Sequence, residues 1–173
     1  MGCTVDLTFV RGDRFASGLI AWFSAGHLSH VDATLGNGQF LGAYERKVCA
    51  IPAGVQLRPV RYDTFPKRVT FSIPVILDQR TAWLKFLHDQ IGKPYDWSAI
   101  FGFVTGRDWR EPDSYICSEL QAAALESSGI VPRLYLAANK ITPVALALAV
   151  SALPGVVIKD ESPWRGGYNH AAD

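Results

Sequence analysis

Tyr115-Ile116-Cys117-Ser118-Glu119-Leu120 is the stretch that decides the fold, because it places a cysteine where a helix is predicted to begin. Apolar residues recur at helical spacing from this point up to Gly129, at Ile116, Leu120, Ala123 and Ala124. Cys117 therefore falls in the first turn of the predicted helix. Amide N–H groups and the helix dipole favour a thiolate at that position, so Cys117 is a candidate nucleophile.

A histidine that could act as the base for such a thiol begins a predicted β-hairpin. The first strand starts at His30 and alternates polar and apolar residues, Asn37-Gly38 is a turn signal, and the second strand runs from Gln39 to Glu45. A two-residue turn at Asn37-Gly38 would set His30 opposite Glu45, on the same face as Asp32. Cysteine and histidine together are typical of a nucleophile with its base.

The rest of the chain predicts a mixture of strands and helices. Further strands are predicted at Thr4 to Val10, Val48 to Ile51, Val55 to Val60 and Val69 to Val75, which favours an antiparallel sheet. Further helices are predicted at Phe15 to Phe23, from an N-cap at Asp78 to a stop at Gly92 and Pro94, and from Pro143 onward. With 173 residues and 49% hydrophobic content, residues 1–173 predict one α+β domain.

Charge argues against a protein devoted to nucleic acid. The formal net charge is +1, with 17 basic and 16 acidic residues spread along the chain. A local cluster of basic residues is interpreted as a solvated face: Arg58, Arg61, Lys67 and Arg68.

The three cysteines Cys3, Cys49 and Cys117 are too widely spaced for a disulfide framework or a paired-cysteine zinc site. Free thiols indicate a reducing compartment such as the cytoplasm, and no secretory signal is visible at the N-terminus. The longest apolar stretch, Val144 to Leu153, is too short to span a bilayer and predicts a buried helix. No two of the four histidines stand with a carboxylate at ligand spacing, so neither a metal nor another cofactor is expected.

Three short motifs, in this order, carry a resemblance to a known family. They are Ser29-His30-Val31, Gly92-Lys93-Pro94-Tyr95-Asp96 and Cys117-Ser118-Glu119-Leu120. The chain resembles the circularly permuted branch of the NlpC-like, papain-fold cysteine hydrolases, the YiiX/YaeF type. In the unpermuted branch the cysteine and Gly-x-Pro-Tyr elements come before the histidine strand, so the order seen here fits the permuted branch.

The resemblance implies Cys117 as nucleophile, His30 as general base and Tyr95 beside the nucleophile, in a cleft between a helix and a sheet. The backbone N–H of Cys117 and the Tyr95 hydroxyl are candidate donors to an oxyanion. The sequence departs from the family at the third catalytic position, where a polar residue on the second hairpin strand is replaced by Gly42. Glu45 is the first candidate to orient His30 in its place, and Asp32 is the second.

Three functional hypotheses follow from these residues. The first is a cysteine hydrolase, an amidase or peptidase that cleaves an amide bond, for example in a cell-wall peptide, through an acyl-enzyme on Cys117. The second is hydrolysis or transfer of a lipid acyl chain on the same fold, with which the apolar segment Val144 to Leu153 and aromatics around Trp109 are compatible. The third is a non-catalytic binding module, for which Gly42 is the best sequence argument.

Overall fold

The computed structural model describes residues 2–11, 28–62, 65–98, 113–134 and 141–161, and these form a six-stranded antiparallel sheet with three helices. The strands are β1 (Cys3–Arg11), β2 (His30–Leu35), β3 (Gln39–Tyr44), β4 (Gly54–Pro59), β5 (Lys67–Val75) and β6 (Val157–Asp160). The helices are α1 (Leu77–Asp89), α2 (Cys117–Ser127) and α3 (Pro143–Ser151). The strand order is β4-β3-β2-β1-β5-β6, which confirms the α+β class and the antiparallel sheet.

The helices cover one face of the sheet. Alternate residues of the central strands point toward them and are fully buried, among them Leu7, Val31, Ala33 and Leu41. Helix α2 packs on β2 and β3, α1 packs on α2 and β1, and α3 packs on α2 and β5. The N-terminus of α2 is thereby fixed against the hairpin of β2 and β3. No helix in the described ranges is long and apolar enough to cross a membrane.

The opposite face of the sheet is also buried, which the sequence did not predict. Its strand residues include Thr8, His30, Asp32, Phe40, Arg58 and Arg68, all 7% exposed or less. Tyr62 lies over this face, with its ring edge-to-face against Phe40, Tyr44 and Phe65 at 5.0–6.2 Å between centroids. The prediction of a solvated basic face is therefore wrong for Arg58 and Arg68, which are buried and pack on these aromatic rings.

The predicted register of the hairpin is wrong by one residue. Leu35 pairs with Gln39, so the connecting loop has three residues, Gly36 to Gly38, instead of two. Gly38 donates its N–H to the Leu35 carbonyl at 3.2 Å and has φ +78, the left-handed conformation that ends a three-residue hairpin loop. Continued along the strands, this register sets Asp32 opposite Gly42 and moves Glu45 away from His30.

Several smaller expectations also change. Val48 to Ile51 is a tight turn closed by one bridge, with Cys49 at φ 54, and is not a strand. Asp78 lies in the first turn of α1, whose N-cap is Ile76. Strand β6 was not predicted, because its four exposed residues carry no clear alternation. The helix predicted at Phe15 to Phe23 lies outside the described residues.

Candidate active site

Cys117 is the first residue of α2, as predicted, and is 2% exposed. The N-cap residue Ile116 has an extended backbone and no side-chain cap, so it leaves the first amide N–H groups of the helix uncapped. One turn later, Gln121 donates from Nε2 to the Leu41 carbonyl of β3 at 3.0 Å. This bond fixes the helix start, and with it the thiol, against the hairpin.

His30 meets Cys117 from the first residue of β2. The backbone N–H of the preceding residue, Ser29, bonds the Val10 carbonyl at 2.9 Å, which holds the strand start against β1. The His30 ring is buried and packs edge-to-face on Tyr44 at 5.4 Å between centroids, and the Cys117 side chain is near enough to raise the pKa of the imidazole. The structure therefore brings together two residues that are about half of the chain apart in sequence.

The other side of the imidazole is held by an ion pair. His30 Nε2 lies 2.9 Å from Asp32 Oδ2, and Asp32 accepts from Arg58 Nη2 at 2.6 Å through each carboxylate oxygen. The same Arg58 Nη2 lies 2.8 Å from His30 Nε2. Because Nε2 is occupied by these two groups, Nδ1 is the ring nitrogen left to face Cys117.

The charges in this cluster shift the pKa values of Asp32 and His30. Burial alone would raise the pKa of Asp32, but the neighbouring Arg58 and His30 hold it below its usual range. Burial alone would lower the pKa of His30, yet the Asp32 carboxylate and the Cys117 side chain raise it to about 10. The positive charge of Arg58 acts in the opposite direction on His30. A protonated imidazole is the form that would pair with a Cys117 thiolate.

Tyr95 reaches the site on a segment that is hydrogen-bonded on both sides. Gly92 N–H donates to the Val55 carbonyl at 2.9 Å, and Val55 N–H donates to the Lys93 carbonyl at 2.8 Å. On its other side Tyr95 forms a parallel bridge with Tyr115, two residues before Cys117. The Gly-x-Pro-Tyr motif is thus a structural bridge between β4 and the start of α2.

The Tyr95 ring is buried and lies within electrostatic range of Cys117. Burial raises its pKa well above the ordinary value, and the negative charges of Cys117 and Glu45 raise it further. The hydroxyl therefore stays protonated at neutral pH and remains a hydrogen-bond donor. Tyr95 also packs edge-to-face on the half-exposed Trp97, at 5.3 Å between centroids.

The hydrogen-bonding carboxylate beside His30 is Asp32, and this corrects the preference for Glu45. Glu45 forms its ion pair with Arg46 at 3.8 Å and acts by its charge on Tyr95. Gly42 explains the exchange, because a Cβ at that position would overlap Asp32 Oδ1 and lie 3.2 Å from its Cγ. The Asp32 carboxylate thus fills the place that a side chain on β3 would take.

Arg58 is the residue that sequence reasoning missed. The alternation of Val55 and Leu57 with Gln56 and Arg58 does place Arg58 on the face opposite the core. That face was expected to be solvated, since the cover formed by Tyr62 is not visible in local sequence. The hairpin sequence did carry one indication. A three-residue loop places Asp32 opposite Gly42, which has no side chain, so the Asp32 carboxylate has room there to meet a partner such as Arg58.

No family model matches the chain. No curated protein matches it either. Among solved structures, the chain is similar to the metalloprotein YiiX from Escherichia coli O157:H7, at 16% sequence identity and a TM-score of 0.59, over 94% of this chain and 98% of that one. This likeness establishes a shared fold. The permuted papain-like assignment of that fold stays a prediction, although a YiiX-type neighbour is consistent with the resemblance found in the motifs.

The word metalloprotein in the description of that neighbour raises the question of a metal in this chain. Within the described residues, no group of three or more His, Cys, Asp or Glu side chains is arranged to hold one. The nearest set of donors is Cys117, His30 and Asp32, and there the Arg58 guanidinium already contacts His30 and Asp32. A second cation at these atoms would be repelled by Arg58, so the residues present do not fit a metal.

Proposed function

We propose that the protein is a cysteine hydrolase that cleaves an amide bond through an acyl-enzyme on Cys117. The observation that carries the proposal is the buried cluster at the start of α2, where Asp32 Oδ2 lies 2.9 Å from His30 Nε2 and Cys117 is near enough to raise the pKa of the imidazole. In this scheme Cys117 is the nucleophile, His30 is the base and acid, and Asp32 orients the imidazole.

The reaction follows from these roles. The thiolate attacks the carbonyl carbon, and the carbonyl electron pair moves to oxygen, where the Cys117 N–H and the Tyr95 hydroxyl can donate. As the C–N bond breaks, His30 gives its proton to the departing amine and becomes neutral. A water molecule then attacks the thioester and gives a proton to His30. The C–S bond of the resulting tetrahedral intermediate then breaks, which releases the carboxylic acid and restores the Cys117 thiolate and the His30 imidazolium.

A peptide amide, such as a crosslink in cell-wall peptide, is the substrate class that the motif resemblance favours. The lipid alternative loses one of its supports, because the apolar residues of α3 are largely used in the core, with Leu146, Ala147 and Val150 buried and Leu148 exposed. Trp109, its other support, lies outside the described residues. Gly42 no longer favours a non-catalytic module, since Asp32 supplies a carboxylate to His30.

Acyl probes of the two substrate classes test the proposal. The protein is incubated with a peptide p-nitroanilide and with a p-nitrophenyl ester of a fatty acid, and intact mass spectrometry reads acyl adducts on Cys117. A peptidyl adduct that is lost in Cys117→Ser and in His30→Ala is expected. An adduct from the fatty acyl ester alone would favour the lipid alternative. Labelling of neither kind above that of Cys117→Ser would contradict a hydrolase.

A further inference from the structure

Arg58 is completely buried, and its guanidinium contacts both the carboxylate and the imidazole of the site. Nη2 bonds both oxygens of Asp32 at 2.6 Å and lies 2.8 Å from His30 Nε2, and Nη1 donates to the Gly42 carbonyl at 3.2 Å. The guanidinium carbon lies 4.6 and 4.7 Å from the ring centroids of Tyr44 and Tyr62. The guanidinium is thus held between two aromatic rings, the carboxylate and a backbone carbonyl.

The charges of the proposed resting state balance only when Arg58 is counted. The Cys117 thiolate and the Asp32 carboxylate are two negative charges, and the His30 imidazolium is one positive charge. Arg58 supplies the second positive charge. Without it, a buried cluster would carry an uncompensated negative charge, which low polarity makes costly and which protonation of the thiolate would relieve.

We infer that Arg58 is a positioning residue of this site, which fixes the Asp32 carboxylate against His30 and balances the charge that allows a Cys117 thiolate at neutral pH. The inference rests on the proposed function. The inference goes beyond the proposed function because it adds Arg58, from β4, to the network of Cys117, His30 and Asp32. Arg58 itself contacts His30 and Asp32 and is not a catalytic residue.

Strands β2, β3 and β4 and helix α2 each contribute an ionisable group near His30, whereas β1 places Val10 beside it. The ionisable groups near the imidazole are Asp32 on β2, Tyr44 on β3, Arg58 on β4 and Cys117 on α2. Two further groups act one step away, because Tyr62 lies beside Arg58 and Tyr95 beside Cys117. Burial raises the pKa of both tyrosines, so they stay neutral near pH 7. Arg58 is therefore the fixed positive charge among the described groups around His30.

Arg58→Gln and Arg58→Lys separate charge from packing. Alkylation of Cys117 by iodoacetamide is measured at pH 7 and at pH 10, where an ordinary thiol ionises without help. Since a neighbouring charge shifts ionisation by roughly one to three units, Arg58→Gln should slow the pH 7 reaction by about tenfold or more and leave the pH 10 reaction nearly unchanged. Arg58→Lys keeps the charge and should retain most of the pH 7 rate.

The matched control is Arg68→Gln, on the same face of the sheet. Arg68 is also buried, lies over the Phe40 ring at 5.5 Å and pairs with Glu161 at 3.0 Å, so its loss should cost stability without changing either rate. If Arg58→Gln alone does not fold, the comparison is made between Asp32→Asn and Asp32→Asn with Arg58→Gln, where no carboxylate is stranded. There the thiolate and imidazolium balance without Arg58, so loss of the guanidinium should not slow the pH 7 reaction further, and further slowing would refute the charge balance.

The possible failures can be told apart by including His30→Ala. If His30→Ala slows alkylation at pH 7 but Arg58→Gln leaves it unchanged, the role of Arg58 is refuted and the proposed function stands. Equal slowing by Arg58→Gln at both pH values, or equal slowing by Arg68→Gln, would show a general structural effect and also refute it. If His30→Ala itself has no effect, the proposed nucleophile and base fail.

Discussion

Gly42→Ala is the smallest change that should disturb the site, because it adds one methyl group where the Asp32 carboxylate lies. The new Cβ would overlap Asp32 Oδ1 and lie 3.2 Å from Cγ, so the carboxylate must move. It cannot move without weakening its bonds to Arg58 at 2.6 Å and to His30 at 2.9 Å. Overpacking costs roughly 1–3 kcal/mol, and a weakened charge-assisted bond adds to it. We expect the free energy of unfolding to fall by ~2–3 kcal/mol.

The assay pairs urea unfolding with alkylation of Cys117 at pH 7. Gly36→Ala in the loop of the same hairpin is the control, because a Cβ there meets no atom within 4 Å and should change stability by only about 0.5 kcal/mol. In an Asp32→Ala background the added methyl should cost much less, since its obstacle is gone. A Gly42→Ala protein as stable and as reactive as the Gly36→Ala control would refute the reasoning.

Three further predictions concern the base, the oxyanion donor and a remote helix cap. Asp32→Asn should lower the pKa of His30 from about 10, as read by NMR of labelled histidine. Because that pKa exceeds 6.5, the stability that the charged imidazole gives is complete below pH 6.5 and is lost as the pH rises toward 10. The variant should therefore lose less stability than the native protein between pH 6.5 and pH 10. Tyr95→Phe should slow acyl-enzyme formation by roughly 10²–10³-fold and leave alkylation, which forms no oxyanion, unchanged. Thr142→Ala removes the α3 cap, which bonds Ala145 N–H at 3.1 Å, and should lower the free energy of unfolding by about 1 kcal/mol with no change in alkylation.

Local patterns were sufficient to predict the elements that carry the motifs. The helical spacing after Ile116 placed Cys117 in a first turn, and Thr142-Pro143 marked the start of α3. The strand order could not be read this way, because β5 pairs with β1 although β2, β3 and β4 lie between them in sequence, and its partner is chosen by packing. Strand β6 gave no signal, since its pairing with β5 rests on backbone bonds and all four residues are exposed.

The limits at the site have two physical causes. A single additional residue in the hairpin loop changes the partner of every side chain on both strands. This is why Glu45 was preferred to Asp32 as the residue that orients His30. Burial of the second sheet face depends on Tyr62, which follows β4 and folds back over Phe40 and Tyr44. Neither effect is local in sequence. The sequence therefore predicted that Cys117 and His30 belong to one site but not the ion pair behind them.

The most direct test of the central claim is the rate of Cys117 alkylation by iodoacetamide from pH 5 to pH 10, in the native protein and in His30→Ala. Iodoacetamide is chosen because it is small enough to reach Cys117, which is only 2% exposed. If His30 assists Cys117, the rate should stay high well below pH 8 in the native protein and fall by about tenfold or more at pH 7 in His30→Ala, and the two rates should converge by pH 10. Two profiles that coincide and rise together only near pH 8.5 would contradict the central claim.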